Sequence, residues 1–185
     1  MTWRTHFLGG IAALWILPPG VGLDSLALAV LFAAIGSLLP DIDARESKIA
    51  SLQVGGVTWL KPAAHLAYRR LGHRGALHSI VALLVLSVAA GLPLWLFLSP
   101  LAALGLVLGY LSHLLLDACT RSGVPLYWPD TNRVHLLPMR LRITTGSRAE
   151  DGVFLLLALA ALGLLLTHLT HLNAFPYAPD TLTTF

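Results

Sequence analysis

The chain has 185 residues, of which 56% are hydrophobic and 11% are charged, and its mean hydropathy is +0.76. A soluble domain carries about 25% charged residues, so this composition argues against a soluble domain and favours a protein that lies in lipid. The formal net charge is +3, and the single cysteine, Cys119, excludes an internal disulfide. We find no nucleic-acid-binding motif and expect no nucleic-acid partner.

Five apolar segments follow one another along the chain, at residues 7–17, 23–39, 77–98, 101–118 and 153–168. A membrane-spanning helix needs roughly 17–25 residues. Four segments are long enough, whereas the first is short and ends at Pro18-Pro19-Gly20. We interpret the first segment as a retained span, with a cleaved signal peptide or an interfacial helix as alternatives. The sequence therefore predicts an all-α, polytopic membrane bundle of about five spans, formed by one domain over residues 1–185.

The basic residues indicate how this bundle lies in the membrane. All 12 lysines and arginines fall at the N-terminus or in the connections 40–75 and 120–150, which five spans place on one side. By the positive-inside rule this side is cytoplasmic. We therefore predict a multi-pass protein of the cell inner membrane with a cytoplasmic N-terminus and an outside C-terminus. Residues 57–71 are expected to form an interfacial helix on the bilayer surface.

Ionisable side chains occur at the predicted cytoplasmic ends of the spans, where lipid disfavours them. His113 and Asp117 are four residues apart, so they share one helical face and can reach a single ion. Pro40 ends the second span, and in an extended Asp-x-Asp the side chains of Asp41 and Asp43 point to the same side. The full set of predicted metal ligands is His6, Asp41, Asp43, His73, His78, His113, Asp117 and Glu150.

A mixed set of imidazoles and carboxylates is typical of transition-metal sites. The set exceeds what one ion needs, so we predict two or more divalent ions, zinc first, with manganese or iron as alternatives. Taken alone, each motif has a structural explanation: a helix cap for Asp-x-Asp, interfacial contacts for HRGxxH, and a buried hydrogen bond for HxxxD. His135 is left open as an extra ligand. We interpret Tyr110 as packing and His168 as interfacial.

These motifs resemble the YdjM-like family of membrane-bound metal-dependent hydrolases. The resemblance covers most of the chain, through His6, "LLPDID" (38–43), "GHRGALHS" (72–79) and "GYLSHLLLDACTRSGVPLYWP" (109–129). The family usually has Thr before the second histidine of its histidine motif, where this chain has Leu77. The spacing of His113 and Asp117 is also similar, more loosely, to the zinc-dependent phospholipase C and P1 nuclease group. The resemblance implies metal-dependent hydrolysis.

We therefore expect a hydrolase that cleaves a phosphoester of a lipid or another amphiphile at the cytoplasmic membrane surface. Metal ions would lower the pKa of a water so that hydroxide attacks phosphorus. Arg74 is the expected phosphate-binding residue and, with Asp43, an expected catalytic residue; Arg121 and Arg133 are further candidates, beside a rim formed by residues 122–125. Two alternatives from other classes are a metal-binding or metal-transporting membrane protein without hydrolysis, and a structural membrane protein with a polar cap.

Overall fold

Helices form the regular structure in the computed structural model, which describes residues 1–43 and 75–174. The α-helices of this part are α1 (Trp3–Ala12), α2 (Leu23–Leu38), α3 (Ile80–Leu86), α4 (Leu92–Phe97), α5 (Pro100–Ala118) and α6 (Arg148–Ala174). The 3-10 helices are Ala13–Ile16, Leu39–Asp43, Ala76–His78 and Met139–Leu141, and a π-helical turn, Ser87–Gly91, joins α3 to α4. The predicted all-helical fold is confirmed.

Serine and proline residues set where several of these helices begin and end. The Oγ atoms of Ser79 and Ser99 each accept a hydrogen bond, 3.2 Å long, from a backbone N–H in the first turn of α3 and α5. Pro100 occupies the first position of α5, where a helix needs no N–H. Pro40 lies just after α2, and the chain there tightens into the 3-10 helix Leu39–Asp43.

Four stretches are long and apolar enough to cross a membrane: Leu23–Ile42, Ile80–Phe97, Pro100–Ala118 and Arg148–His171. The first apolar segment forms α1, of 10 residues, followed by a 3-10 helix of 4 residues. At about 1.5 Å per α-helical residue and about 2.0 Å per 3-10 residue its helical part is near 23 Å long, less than the ~30 Å hydrocarbon core of a bilayer. The first segment is therefore short, as the sequence predicts, and it is not among the four stretches of spanning length.

α5 is the central helix of the bundle. It makes its most extensive contact with α2, while α1 packs against α2, α5 and α6. Most of α5 is buried, whereas Ile80–Phe97 and α6 bury few of their residues and expose large side chains such as Val88, Phe97 and Leu156. Because apolar surface of this extent is unfavourable in water, these outer helices are suited to contact with lipid.

The polar ends of the helices meet at one end of the bundle, as the sequence predicts. Asp117 near the end of α5 contacts His6 of α1, and Asp41 after α2 lies beside His78, which precedes α3. Glu150 in the first turn of α6 contacts Thr5 of α1. The interfacial helix predicted for residues 57–71 lies outside the described residues.

Candidate metal centre

The last two turns of α5 supply His113 and Asp117, whose side chains are almost completely buried. Nδ1 of His113 lies 2.7 Å from the carbonyl oxygen of Ser37 in α2. Because a carbonyl oxygen only accepts, Nδ1 carries the proton and donates it. A neutral imidazole then has its lone pair on Nε2, the atom that faces the other polar side chains. The carbonyl of Ser37 therefore prepares His113 to act as a ligand.

His6 reaches this position from α1. Its ring stacks on the ring of His113, with centroids 3.6 Å apart and an interplanar angle of 14°. Nε2 of His6 lies 3.2 Å from Oδ1 of Asp117. The amino group of Met1 forms an ion pair with the same carboxylate oxygen. The beginning of α1 is thus joined to the end of α5 through polar contacts in a buried space.

His78 and Asp41 complete the group from the opposite side. Nε2 of His78 lies 3.3 Å from Nε2 of His113 and 3.5 Å from Oδ1 of Asp41. The same Asp41 oxygen is 3.8 Å from Nε2 of His113. Asp41 is 24% exposed, whereas the side chain of His78 is fully buried. We call this set of side chains the His/Asp cluster; its members are His6, Asp41, His78, His113 and Asp117.

Two contacts hold the short turn that carries His78. The hydroxyl of Tyr110 in α5 donates a hydrogen bond to the carbonyl oxygen of Leu77. The backbone N–H of Ile80 donates to the carbonyl oxygen of Leu126, 2.9 Å away, in the connection after α5. The prediction that Tyr110 packs in the core is confirmed for its ring, which is buried, but it is incomplete. The hydroxyl also holds Leu77, the residue next to His78.

The His/Asp cluster could hold a metal ion. Its facing atoms form two groups that share His113, one with His6 and Asp41 and one with His78 and Asp117, and within each group they lie within 4.8 Å of one another. Four ligands around a tetrahedral zinc ion stand about 3.3 Å apart, close to the 3.2–3.9 Å separations of most neighbouring atoms here. The amino group of Met1 compensates part of the carboxylate charge of the cluster, and a bound cation would compensate the rest.

Five of the eight predicted ligands are therefore brought together, and among the described side chains Glu150 is the predicted ligand that lies outside the cluster. His73 and Arg74 lie outside the described residues, as does the side chain of Asp43. The expectation of extended backbone at Asp41-x-Asp43 was wrong, because Leu39–Asp43 is a 3-10 helix that continues α2. In a helix of three residues per turn, positions two apart do not share a face.

Glu150 stands apart from the cluster, with donors of its own. Its Oε1 accepts hydrogen bonds from the backbone N–H of Thr2 at 2.5 Å and from Oγ1 of Thr5 at 2.8 Å. Its Oε2 accepts from the backbone N–H of Gly146 at 2.6 Å. Glu150 is buried, and these bonds join the start of α6 to the start of α1.

Other predicted positions lie around the site. Nε2 of His135 lies 3.3 Å from the carbonyl oxygen of Arg121, outside the cluster. Nη1 of Arg133 donates to the carbonyl oxygens of Ser122 and Gly123 at 3.3 and 3.4 Å. The residue that follows Gly123 is Val124, whose side chain packs beneath the end of α5.

The prediction of an interfacial His168 was wrong. This residue near the far end of α6 is buried, and its Nδ1 donates to the carbonyl oxygen of Leu164 at 2.9 Å. Two features of the site were missed from sequence: the carbonyl of Ser37 and the hydroxyl of Tyr110. Ser37 acts through its backbone carbonyl on a histidine of another helix, and Tyr110 acts on a residue 33 positions away, so the sequence carries no local signal for either.

Comparisons with known proteins agree with this picture. The profile of the family described as "YdjM inner membrane protein" matches residues 1–175. The protein YvsG of Bacillus subtilis (strain 168), named as uncharacterized, is 32% identical over 163 residues, which cover 87% of this chain and 92% of YvsG. The inner membrane proteins YdjM of Escherichia coli (strain K12) and Shigella flexneri are each 42% identical over 108 residues, or 56% of this chain.

These 108 residues are 50% of each YdjM protein, so the chain spans about half the length of those two relatives. No solved structure matches the chain. The family match runs from α1 into the segment after α6 and so includes every member of the His/Asp cluster. The chain belongs to the YdjM inner membrane protein family.

Proposed function

We propose that this chain is a metal-dependent hydrolase embedded in the inner membrane, which cleaves a phosphoester of a lipid or another amphiphile at the membrane surface. The observation that carries the proposal is the His/Asp cluster, in which three imidazoles and two carboxylates from separate elements converge in a buried space. Such a concentration of titratable groups in an apolar bundle is a marker of function. Its position at the helix ends suits a substrate whose polar group lies at head-group level.

The proposed ligands are the Nε2 atoms of the three histidines and the carboxylates of Asp41 and Asp117. Zinc is the preferred ion, with manganese or iron as alternatives. When bound, the ions supply Lewis acidity and an activated water for hydrolysis. The chain itself fixes the ligands. The carbonyl of Ser37 keeps the proton of His113 on Nδ1, and the hydroxyl of Tyr110 holds the turn that carries His78.

Substrate would approach from the side of Asp41, because this is the cluster member with an appreciably exposed side chain. Arg74 and Asp43 remain the proposed catalytic residues from sequence, with Arg74 binding phosphate oxygens. A phosphoester carries negative charge, and the basic residues near this end of the bundle would attract it.

The alternative is a membrane protein that binds or transports metal without hydrolysis. Transport needs polar groups along a path through the membrane. In the described helices, the interior beyond the cluster is packed with Leu14, Leu26, Ala29, Ala33 and Leu164. This apolar packing favours a pocket that opens on one side, and therefore favours the hydrolase over the transporter.

The test replaces Asp117 by Asn in protein purified without a histidine tag. Asn keeps the volume of the side chain but loses the negative charge of a carboxylate ligand, so both metal content and phosphoester hydrolysis should fall to background. His168→Ala is the control, because it removes an equally buried histidine at the other end of the bundle. We expect it to lower stability without changing the metal-to-protein ratio.

Elemental analysis after reconstitution with zinc or manganese measures the metal content. Assays with a panel of phospholipid and soluble phosphoesters measure the hydrolysis. Full metal occupancy in Asp117→Asn would make the carboxylate a structural group and would remove the central ligand of the proposal. Normal metal content without hydrolysis of any phosphoester by the unaltered protein would favour the metal-binding alternative.

A further inference from the structure

The connection between α5 and α6 is fixed against the end of the bundle. Three backbone hydrogen bonds hold it: Leu136 N–H to the carbonyl of Ala118 at 2.9 Å, Ile143 N–H to that of Cys119 at 3.0 Å, and Arg121 N–H to that of Ile143 at 2.9 Å. Ala118 is the last residue of a helix long enough to span a membrane. The connection therefore stays at the depth where α5 leaves the hydrocarbon core.

Within this connection, residues 136–142 form a closed turn with apolar side chains on its outside. Nε of Arg142 donates to the carbonyl oxygen of Leu137 at 3.1 Å, and the N–H of Leu141 donates to that of Pro138 at 2.9 Å. Three side chains of the turn are largely exposed: Leu136 at 54%, Met139 at 78% and Leu141 at 65%. Grouped apolar side chains on a rigid turn indicate a surface that contacts something other than water.

The charge of the connection indicates what that contact is. Residues 119–148 contain five arginines and a single acidic residue, Asp130. Hydrogen bonds from the backbone and side chain of Asn132 hold the pKa of Asp130 below its ordinary value, so this residue stays anionic and the net charge of the connection is +4 from 5 − 1. Positive charge beside exposed apolar groups is complementary to the surface of an anionic bilayer.

We propose that residues 136–142 form a membrane-docking turn, whose Leu136, Met139 and Leu141 insert into the interfacial layer of the nearby leaflet. Arg140, which is exposed and next to Met139, binds the head groups of anionic phospholipids. Tyr127 and Trp128, exposed in the same connection, lie beside the layer in which aromatic side chains are enriched. This inference concerns how the cluster end of the protein sits on lipid, and it holds whether or not the chain is a hydrolase.

The test places a fluorescent reporter on the turn in reconstituted full-length protein. Met139→Cys is made with Cys119→Ser, which removes the native cysteine, and the new cysteine is labelled with a polarity-sensitive dye. Thr131→Cys in the same background is the matched control, because Thr131 is also exposed but lies between the polar residues Asp130 and Asn132. Quenching by nitroxide-labelled lipid is compared with quenching by a water-soluble nitroxide, in phosphatidylcholine vesicles with and without phosphatidylglycerol.

We expect the Met139 label to be quenched several-fold more by the lipid nitroxide than the Thr131 label, and most strongly in the anionic vesicles. Adding Arg140→Gln should reduce the preference for anionic vesicles by up to about fivefold, which corresponds to ~1 kcal/mol per basic residue at such a surface. Metal content and hydrolysis do not enter this measurement, so its failure is distinguishable from a failure of the proposed function.

Three results would overturn the proposal. Equal lipid quenching at Met139 and Thr131 would remove the special role of the turn. Strong quenching at Met139 by the water-soluble nitroxide alone would place the turn in water. Protection of the Met139 label from both quenchers would mean that protein covers it, either another part of this chain, a second copy or a partner.

Discussion

Glu150 and Asp117 are both buried carboxylates, but different groups surround them. The oxygens of Glu150 accept hydrogen bonds from Thr2, Thr5 and Gly146, which are uncharged donors of the protein. Asp117 faces the charged amino group of Met1 and the imidazoles of the His/Asp cluster. Since a carboxylate with three donors already directed at it has little reason to bind a cation, we assign Glu150 a positioning role, which aligns α1 and therefore His6.

A glutamine at position 150 tests this assignment. Glu150→Gln directs an NH₂ group at one of the three donors, so we expect the free energy of unfolding to fall by about 1–3 kcal/mol. The metal-to-protein ratio at saturating zinc should stay unchanged. Reversible denaturation in detergent micelles and elemental analysis measure the two quantities.

Asp151→Asn is the matched control, because Asp151 is exposed in the same first turn of α6. It removes the same favourable interaction with the helix dipole but none of these hydrogen bonds, so its effect should be within about 0.5 kcal/mol. Loss of bound metal in Glu150→Gln, without loss of stability, would instead make Glu150 a ligand, as its sequence position first indicated.

Sequence could predict the members of the His/Asp cluster, because ionisable side chains at the ends of apolar helices are unusual. Four-residue spacing puts His113 and Asp117 on one face wherever α5 packs. The role of Tyr110 and the carbonyl of Ser37 could not be predicted in this way, because each depends on which helix lies opposite. The same is true of Glu150, two of whose three donors, Thr2 and Thr5, come from the other end of the sequence.

Among the elements, α2 and α5 are in direct backbone contact. A Cβ atom added to Gly109 would meet the carbonyl of Ala33 and the N–H of Ser37, and one added to Gly36 would meet the carbonyl of Leu106. Glycine permits this close approach because it has no side chain. The approach also brings Ser37 to hydrogen-bonding distance of His113, so helix spacing and ligand geometry depend on the same contact.

Gly109→Ala should therefore separate α2 from α5. Since the obstructing atoms belong to the backbone, we expect a loss of about 1–3 kcal/mol in the free energy of unfolding, together with weaker zinc binding as Ser37 moves away from His113. Gly152→Ala in α6 is the control, because no atom lies within 4 Å of its added Cβ. There alanine should stabilise by about 1 kcal/mol. Equal effects of the two variants would show that the α2–α5 contact accommodates an added methyl group without separating the helices.

Among the elements, the sequence predicted the long helices correctly but not the backbone that follows Pro40. The long apolar segments gave four helices of spanning length, because length and hydropathy alone determine that property. The backbone after Pro40 was predicted as extended, yet Leu39–Asp43 is a 3-10 helix. Proline removes a single N–H donor, and whether a helix then tightens or unfolds depends on packing around it, which for Pro40 is complete burial.

For the whole molecule, the distribution of charge predicts the orientation in the membrane. All 12 basic residues lie in the parts of the sequence that five spans would place on one side. By the positive-inside rule we expect a reporter fused after α6 to be active outside the cytoplasm and one inserted at residue 130 to be active inside. Paired phosphatase and fluorescent-protein fusions measure this. A cytoplasmic signal from the first fusion would remove α1 as a span or reverse the other helices.

The burial of the His/Asp cluster has a consequence for the time scale of metal exchange. Four of its side chains are 0–1% exposed, and Asp41, at 24%, gives the largest opening to solvent. An ion bound there would leave through the opening beside Asp41, and because the other ligands are buried we expect its release to be slow. Protein loaded while it folds would then keep its ion through prolonged dialysis against a chelator, and the metal found after purification would record which ion was present during synthesis.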